Sequence, residues 1–292
     1  MQKHLALIVS RINILNNVVL AISKISIGFF AHSGALLNDG INNAGDVISS
    51  VIASIGIAAG AKESDDDHQY GHERLECIAA ILLSGIIMVV GLGLLIDGSV
   101  TIIKKTYLLN QTPGILAVIA AIASIIIKEI MFLYTRWAAR KTGSSALMAS
   151  SWDSQSDVLA TTGGLIGIVA ARFGYPIADS IAAIIIALFI FRVGMGIFKD
   201  GMDRMVDHAC DEETVSSIKR VILDQEGVRG VDLLQTRTFG SRCFVDVEIS
   251  AEGSQSLVDA HSIAERVHHA IEISFPEVKH CMVHVNPYRN TL

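Results

Sequence analysis

Two pairs of polar residues, each four positions apart, interrupt apolar stretches of this chain. Asn42 and Asp46 form the first pair, and Asp153 and Asp157, within SSWDSQSDV, form the second. Residues four apart share one face of a helix, so each pair directs two oxygen-bearing side chains the same way. Counted at about 1.5 Å per residue from the nearer end of its apolar stretch, Asp46 lies about 18 Å deep and Asp157 about 16 Å deep.

Three carboxylates near the middle of a membrane need compensation, because even one lone charge there costs at least about 2.5–3.5 kcal/mol. We predict that the carboxylates of Asp46, Asp153 and Asp157 and the amide oxygen of Asn42 converge on one divalent cation. The alternative is a contact between helices in which the acids are protonated and hydrogen-bonded. Both hypotheses require two helices that bring the pairs together.

The elements that position these residues are predicted to be transmembrane helices. The chain has 292 residues, of which 51% are hydrophobic and 18% are charged, with a mean hydropathy of +0.50. A soluble domain is nearer about 25% charged. Crossing the ~30 Å hydrocarbon core of a bilayer takes ~20 predominantly apolar residues. Six segments satisfy this requirement: 8–30, 34–60, 77–99, 114–135, 146–171 and 177–198.

An even number of spans places both chain ends on the same side of the membrane. Basic residues at the span ends on that side outnumber those on the other side, which predicts cytoplasmic termini. The plasma (inner) membrane is the expected location. The basic residues on the side of the termini are Lys62, Arg74, Arg136, Arg140, Lys141, Lys199 and Arg204, against Lys104, Lys105 and Arg172 on the other.

After the last span the chain is richer in charge, and its pattern predicts a helix, two strands, a helix and a strand. This order is typical of a small two-layer α+β domain. We therefore predict a six-helix transmembrane transport domain over 1–207 and a cytoplasmic regulatory and dimerisation domain over 208–292. No two of the four cysteines have C-x-x-C spacing and the cytosol is reducing, so structural disulfides are not expected. The predicted elements are 211–226, 228–240, 241–250, 254–275 and 278–286.

Several of these features together resemble the cation diffusion facilitator family. They are the six spans, the polar pairs in the second and fifth spans, the loop DDDHQYGHERLE, the segments WDSQSD and PIADSIAAIIIA, and the α+β tail. The resemblance covers essentially the whole chain. It implies an α-helical membrane protein with six transmembrane helices and a C-terminal cytoplasmic α-β-β-α-β, metallochaperone-like domain. It also implies a homodimeric transporter, not an enzyme, that exports a divalent transition metal by proton antiport.

The donor atoms of the four-residue set favour one class of metal. Zinc-transporting members of the family usually carry a histidine in this set, whereas Asn42, Asp46, Asp153 and Asp157 offer only oxygen. Oxygen donors favour a harder ion, Mn²⁺ first, and the set looks like that of the manganese branch. Efflux of Zn²⁺ or Fe²⁺ remains an alternative, as does a membrane-anchored metal sensor or scaffold without transport. The expected partners are the metal ion, protons, the lipid bilayer and a second copy of the chain, with neither a further cofactor nor a nucleic acid.

Two further sets of residues are candidate metal ligands. Asp65, His68 and His72 follow the second span at spacings of three and four, and the resemblance implies a metal site in this loop. The alternative is a solvated acidic loop that attracts cations through its field. In the tail, the resemblance implies a retuned regulatory site where zinc-type members bind metal, or else ordinary exposed polar residues. That set comprises Asp232, Glu248, His261 and His284.

Other polar residues inside the spans are predicted to have structural roles. Lys128, in the fourth span, needs a buried partner or must extend to the membrane surface. We favour a structural pairing over a role as a proton relay. The asparagines of the first span are expected to form hydrogen bonds between helices, and they are Asn13, Asn16 and Asn17.

Overall fold

The computed structural model describes residues 2–30, 34–105, 115–172 and 177–288. The chain divides into two compact units, Met1–Met202 and Asp203–Leu292. Within the described residues, the first unit consists of helices joined by loops. Its helices are α1 (Gln2–Phe30), α2 (Gly34–Gly60), α3 (Arg74–Ile103), α4 (Ile115–Thr142), α5 (Ser145–Arg172) and α6 (Ile177–Met205).

The helices of the first unit form an α-helical membrane domain. Four stretches within them are long and apolar enough to cross a bilayer: His4–Ile27, Asn43–Gly60, Arg74–Ile103 and Val118–Thr142. Large apolar side chains such as Val89, Ile126 and Leu133 are exposed on the outside of the bundle, as lipid contact requires. Helices α5 and α6 coincide with the fifth and sixth predicted segments. The count of six membrane spans stays a prediction.

Asparagine side chains of α1 join it to its neighbours, which confirms the prediction of hydrogen bonds between helices. The amide nitrogen of Asn13 donates to Oγ1 of Thr135 on α4 at 3.0 Å. That of Asn17 donates to Oγ of Ser50 on α2 at 2.8 Å. Asn17 also reaches the backbone oxygen of Asp46 at 3.4 Å, so α1 holds the turn of α2 that carries this acid.

The close packing of α1 on α2 depends on Gly40. A Cβ atom on this residue would lie 2.6 Å from Cγ1 of Ile25 and 2.8 Å from the backbone nitrogen of Ile25. The backbone nitrogen cannot move aside as a flexible side chain can, so only glycine fits. The glycine therefore sets how closely α1 packs on the helix that carries Asp46.

The second unit is an α+β domain with the predicted α-β-β-α-β order. Its elements are α7 (Glu212–Leu223), β1 (Gly230–Phe239), β2 (Arg242–Ala251), α8 (Leu257–Ser274) and β3 (Val278–Pro287). Strands β1 and β2 pair antiparallel, β2 and β3 pair parallel, and the sheet order is β1-β2-β3. The two helices pack their apolar faces on the sheet, with Ile222, Val267 and Ile249 fully buried between them.

The expectation that this domain lacks structural disulfides is wrong, because Cys210 and Cys243 are joined by one. The segment before α7 runs beside the hairpin: the backbone N–H of Cys210 donates to Oγ1 of Thr236 on β1 at 3.0 Å. Strand β2, which carries Cys243, is the partner of β1, so the two sulfur atoms meet across a separation of 33 residues. A sequence far from C-x-x-C spacing gives no indication of this pairing.

Cys281 on β3 is a buried free thiol. Burial raises the pKa of Cys281 to about 12, and the nearby carboxylates of Glu272 and Asp246 act in the same direction. The sulfur therefore stays protonated at neutral pH.

Candidate metal centre

A single ammonium group joins two of the intramembrane acids. Nζ of Lys128 on α4 lies 2.7 Å from Oδ2 of Asp46 on α2 and 2.8 Å from Oδ2 of Asp157 on α5. The lysine side chain is 3% exposed. A buried charge of this kind is tolerated only when it is paired and hydrogen-bonded, and here two carboxylates pair with it. Three helices therefore meet at one charged point.

Asp153 belongs to the same cluster. It lies one helical turn before Asp157 on α5 and is close enough to Asp46, Asp157 and Lys128 to interact with each electrostatically. When all four groups are ionised, three carboxylates and one ammonium leave two negative charges uncompensated. Asn42 precedes Asp46 by one turn of α2, and its side chain lies outside the described residues.

Lys128 contacts two of the acids that are predicted to bind the metal. The ammonium group donates to the oxygen atoms that would coordinate a metal. Small divalent cations bind oxygen at about 2.0–2.6 Å, closer than an ammonium does. A metal bound to these two oxygen atoms would therefore compete with Nζ of Lys128 for them.

A cavity of about 50 Å³ adjoins this cluster. Its volume suits a few water molecules, at about 10–15 Å³ each. Lys24, which sequence reasoning missed, is buried at its edge and donates to Oδ1 of Asn43 at 3.2 Å. The signal in the sequence was the position of this lysine inside the first predicted span, where a charged side chain needs a polar partner. The polar residues that line the cavity are Lys24, Asn43, Ser124, Lys128, Asp157 and Thr161.

The loop after α2 brings Asp65, His68 and His72 together, with one ligand atom from each within 4.8 Å of the others. Nδ1 of His72 donates to the backbone oxygen of Glu63 at 3.0 Å, which directs Nε2 towards Asp65 at 3.5 Å. Such a backbone contact fixes the orientation of a ligating imidazole. The ion pair with Lys62 and the backbone N–H of His68 hold the pKa of Asp65 well below its usual range.

The four tail residues are only partly brought together. Asn286 donates through Nδ2 to Asp232 and to Glu248, both at 3.1 Å, and its oxygen accepts from Nε2 of His284 at 3.1 Å. The amide group of Asn286 thus supplies hydrogen bonds to two carboxylates that a bound cation would also contact. His261 instead contacts Glu265 at 3.4 Å and is largely exposed. A metal site at these four residues stays a prediction.

Carboxylates from two helices meet at a buried ammonium inside a membrane domain that a small α+β domain follows, an arrangement expected of a membrane cation transporter. Residues 10–206 match the cation efflux transmembrane domain, and residues 210–288 match the cytoplasmic domain of cation efflux proteins. The chain belongs to the cation efflux family. It is therefore a divalent metal efflux protein and not an enzyme.

Two relatives that are named as manganese efflux system proteins align with most of this chain. The manganese efflux system protein MneS of Bacillus subtilis (strain 168) is 34% identical over 263 residues, which are 88% of this chain and 89% of the relative. The manganese efflux system protein MneP of the same organism is 29% identical over 287 residues, which are 96% and 95%. Among solved structures, "MamM-CTD 215-293" is 25% identical with a TM-score of 0.26, and it covers 26% of this chain and 98% of its own.

Proposed function

We propose that this protein exports Mn²⁺ from the cytosol in exchange for protons, across the plasma membrane, as a homodimer with cytoplasmic termini. The observation that carries the proposal is Lys128, held between Asp46 and Asp157 inside the membrane domain. It supports a cation-binding position among acids from two helices. A scaffold or sensor without transport has no use for buried acids at this depth, since they only destabilise a membrane anchor.

The donor set supports manganese as the transported ion. Asp46, Asp153, Asp157 and the amide of Asn42 supply oxygen alone, which suits Mn²⁺ better than the softer Zn²⁺. The designation of MneS and MneP as manganese efflux system proteins agrees with this choice. Zn²⁺ binds most mixed sites more tightly than Mn²⁺, so the selectivity must come from the absence of nitrogen and sulfur ligands.

Proton exchange follows from the use of carboxylates as ligands. In the inward-facing state the ionised acids capture the metal, and the ammonium of Lys128 leaves its position between them. In the outward-facing state protons compete for the same oxygen lone pairs and release the metal. A rearrangement of the helices alternates access to the two sides of the membrane. The proton gradient then drives the cycle without covalent chemistry.

The cytosolic parts supply cations and bring two chains together. The acidic loop with Asp65, His68 and His72 attracts cations towards the entrance and binds one of them. The C-terminal domain dimerises, in keeping with its match to the cytoplasmic domain of cation efflux proteins. Metal at Asp232, Glu248 and His284 then requires Asn286 to rotate away, which makes this set a sensor of high cytosolic metal.

The test is flux of Mn²⁺ into proteoliposomes with an imposed pH gradient, recorded together with the counterflow of protons. Asp157→Asn removes one carboxylate with little change in volume, and it should reduce Mn²⁺ flux at least ~10-fold. Asp97→Asn makes the same chemical change at an exposed position of α3 and should leave the flux unchanged. Zn²⁺ or Fe²⁺ flux in place of Mn²⁺ would overturn the choice of metal. The absence of flux for all three ions in folded protein would favour the scaffold.

A further inference from the structure

Two histidines and a glutamate that belong to none of the predicted metal-ligand sets meet in the second unit. Nε2 of His268 lies 3.2 Å from Oε1 of Glu272, and Nδ1 of His280 lies 3.3 Å from the same oxygen. The rings of His268 and His280 are 5.3 Å apart and nearly perpendicular. One ligand atom from each of the three residues lies within 4.8 Å of the others.

Local structure explains why these residues meet. His268 and Glu272 are four apart on α8, so they share one face of the helix. The short turn between α8 and β3 folds the start of the strand back along the last turns of the helix, which brings His280 to the same face. The backbone N–H of Cys281 also donates to Oε1 of Glu272 at 3.3 Å, which holds the carboxylate in place.

The orientation of His268 leaves a lone pair directed at the carboxylate. Its Nδ1 lies 2.8 Å from the backbone oxygen of Cys281, and a carbonyl oxygen can only accept, so Nδ1 carries the proton. In the neutral ring Nε2 then has no proton and faces Oε1 of Glu272. Two lone pairs at this distance repel each other unless a proton or a metal ion lies between them. Metal-bound histidines commonly donate their other N–H to a backbone carbonyl in this way.

We propose that His268, Glu272 and His280 form a divalent metal site that binds Zn²⁺ in preference to Mn²⁺. Two imidazole nitrogens and one carboxylate oxygen are a ligand set suited to Zn²⁺, with a fourth position left for water. The affinity order of divalent metals places Zn²⁺ well above Mn²⁺ at such a site. Its donor chemistry differs from that of the oxygen-only set in the membrane, so the two positions respond to different ions.

Bound Zn²⁺ would tie the end of α8 to the start of β3. The ligands are partly exposed, at 28% for His268, 32% for Glu272 and 49% for His280, so the metal can reach them without unfolding. The site therefore makes the second unit more stable when Zn²⁺ is present. This inference does not depend on whether the membrane domain carries Mn²⁺.

The test counts Zn²⁺ bound per chain by the full-length protein in detergent. His280→Ala and Glu272→Gln should each bind one Zn²⁺ fewer than the native protein. His269→Ala removes a neighbouring imidazole outside the triad and should bind the native number. Equal numbers of Zn²⁺ in all four proteins would overturn the proposal. Mn²⁺ should need at least ~10-fold higher concentration to occupy the same position.

A second measurement uses the unmodified chain and so does not depend on the folding of variants. Diethyl pyrocarbonate modifies accessible imidazoles, and mass spectrometry reports the rate at each histidine. Saturating Zn²⁺ should slow the modification of His280 at least ~5-fold and leave His269 unaffected. Equal rates at His280 with and without Zn²⁺ would show that the triad does not bind the metal.

Discussion

Asp46 and Asp157, carried by different helices, are joined by one ammonium group that donates to both. The pairing places the positive charge of Lys128 at the position that we propose for the transported cation. One of the three negative charges of this cluster is therefore compensated when the metal is absent, and we predict that metal binding exchanges one cation for another.

Replacement of Lys128 by methionine should make the protein depend on metal for stability. Removal of one partner from a buried ion pair typically destabilises a protein by about 3–5 kcal/mol, because the remaining charges lose their compensation. In Lys128→Met, thermal unfolding should therefore occur at a lower temperature without metal, and Mn²⁺ should raise that temperature more than in the native protein.

Lys128→Arg is the matched control, because a guanidinium keeps the charge and donates to two carboxylates. It should unfold close to the native temperature in metal-free buffer. If Lys128→Met is as stable as the native protein and gains nothing extra from Mn²⁺, then the ammonium and the metal do not share a position.

The packing of α1 on α2 should be sensitive to a single methyl group. Gly40→Ala places a Cβ against the backbone of Ile25, and overpacking of this kind costs about 1–3 kcal/mol. Gly85→Ala on α3 meets no atom within 4 Å, so it should leave the melting temperature unchanged or raise it slightly. Equal melting temperatures of the two variants in detergent would contradict the close approach of α1 and α2.

The loop site should bind metal more tightly when Lys62 is removed. The ammonium of Lys62 contacts Oδ2 of Asp65 at 2.5 Å and competes with a metal for this oxygen. Lys62→Met should therefore lower the Zn²⁺ concentration that protects His68 from diethyl pyrocarbonate. Lys199→Met removes an exposed lysine elsewhere and should leave this Zn²⁺ concentration unchanged. The same concentration in Lys62→Met as in the native protein would show that Lys62 does not compete with the metal for Asp65.

The pH dependence of this loop follows from the lowered pKa of Asp65. A carboxyl whose folded pKa is depressed stabilises the fold above its unfolded pKa, about 3.9, and that stabilisation is lost as pH falls through the lower folded pKa. Asp65 is thus ionised throughout the pH range from about 5 to 8. The effect of Lys62→Met should be the same across this range, since Asp65 does not titrate within it.

Cys281 should resist alkylation in the folded protein. With its pKa raised to about 12, the thiolate that reacts is scarce at pH 8, and labelling by N-ethylmaleimide should be ~10³-fold slower than in unfolded chain. The folded pKa of Cys281 lies above its unfolded value. The contribution of the protonated thiol to the free energy of unfolding is therefore complete below the unfolded pKa, and it is lost as pH rises through about 12. Labelling of Cys281 in native protein at the rate of the denatured control would contradict its burial.

The sequence predicted the elements well because their signals are local. The segment 34–60 coincides with α2, and the α-β-β-α-β order follows from periodicity and from turn residues such as Gly227 and Gly240. The polar pairs of α2 and α5 were also visible, because a residue spacing of four defines one helical face. The residues that each face contacts depend on the rotation of the helix against its neighbours, which the spacing does not determine.

The contacts that the sequence did not predict all depend on that arrangement in space. Lys128 was expected to need a partner, but its place between two acids requires α2, α4 and α5 to meet. The disulfide of Cys210 and Cys243 requires the segment before α7 to lie beside the hairpin. The triad around Glu272 requires the turn into β3, although its spacing of four from His268 was a usable signal.

We predict that a divalent cation and the ammonium of Lys128 exchange at Asp46, Asp153 and Asp157. Crystals of the full-length protein soaked in Mn²⁺ and measured at the manganese absorption edge test it most directly. We predict an anomalous peak among the three carboxylates, with Nζ of Lys128 displaced from its contacts with Asp46 and Asp157. A map with Lys128 still bridging the two acids, and manganese bound only outside the membrane domain, would contradict the claim.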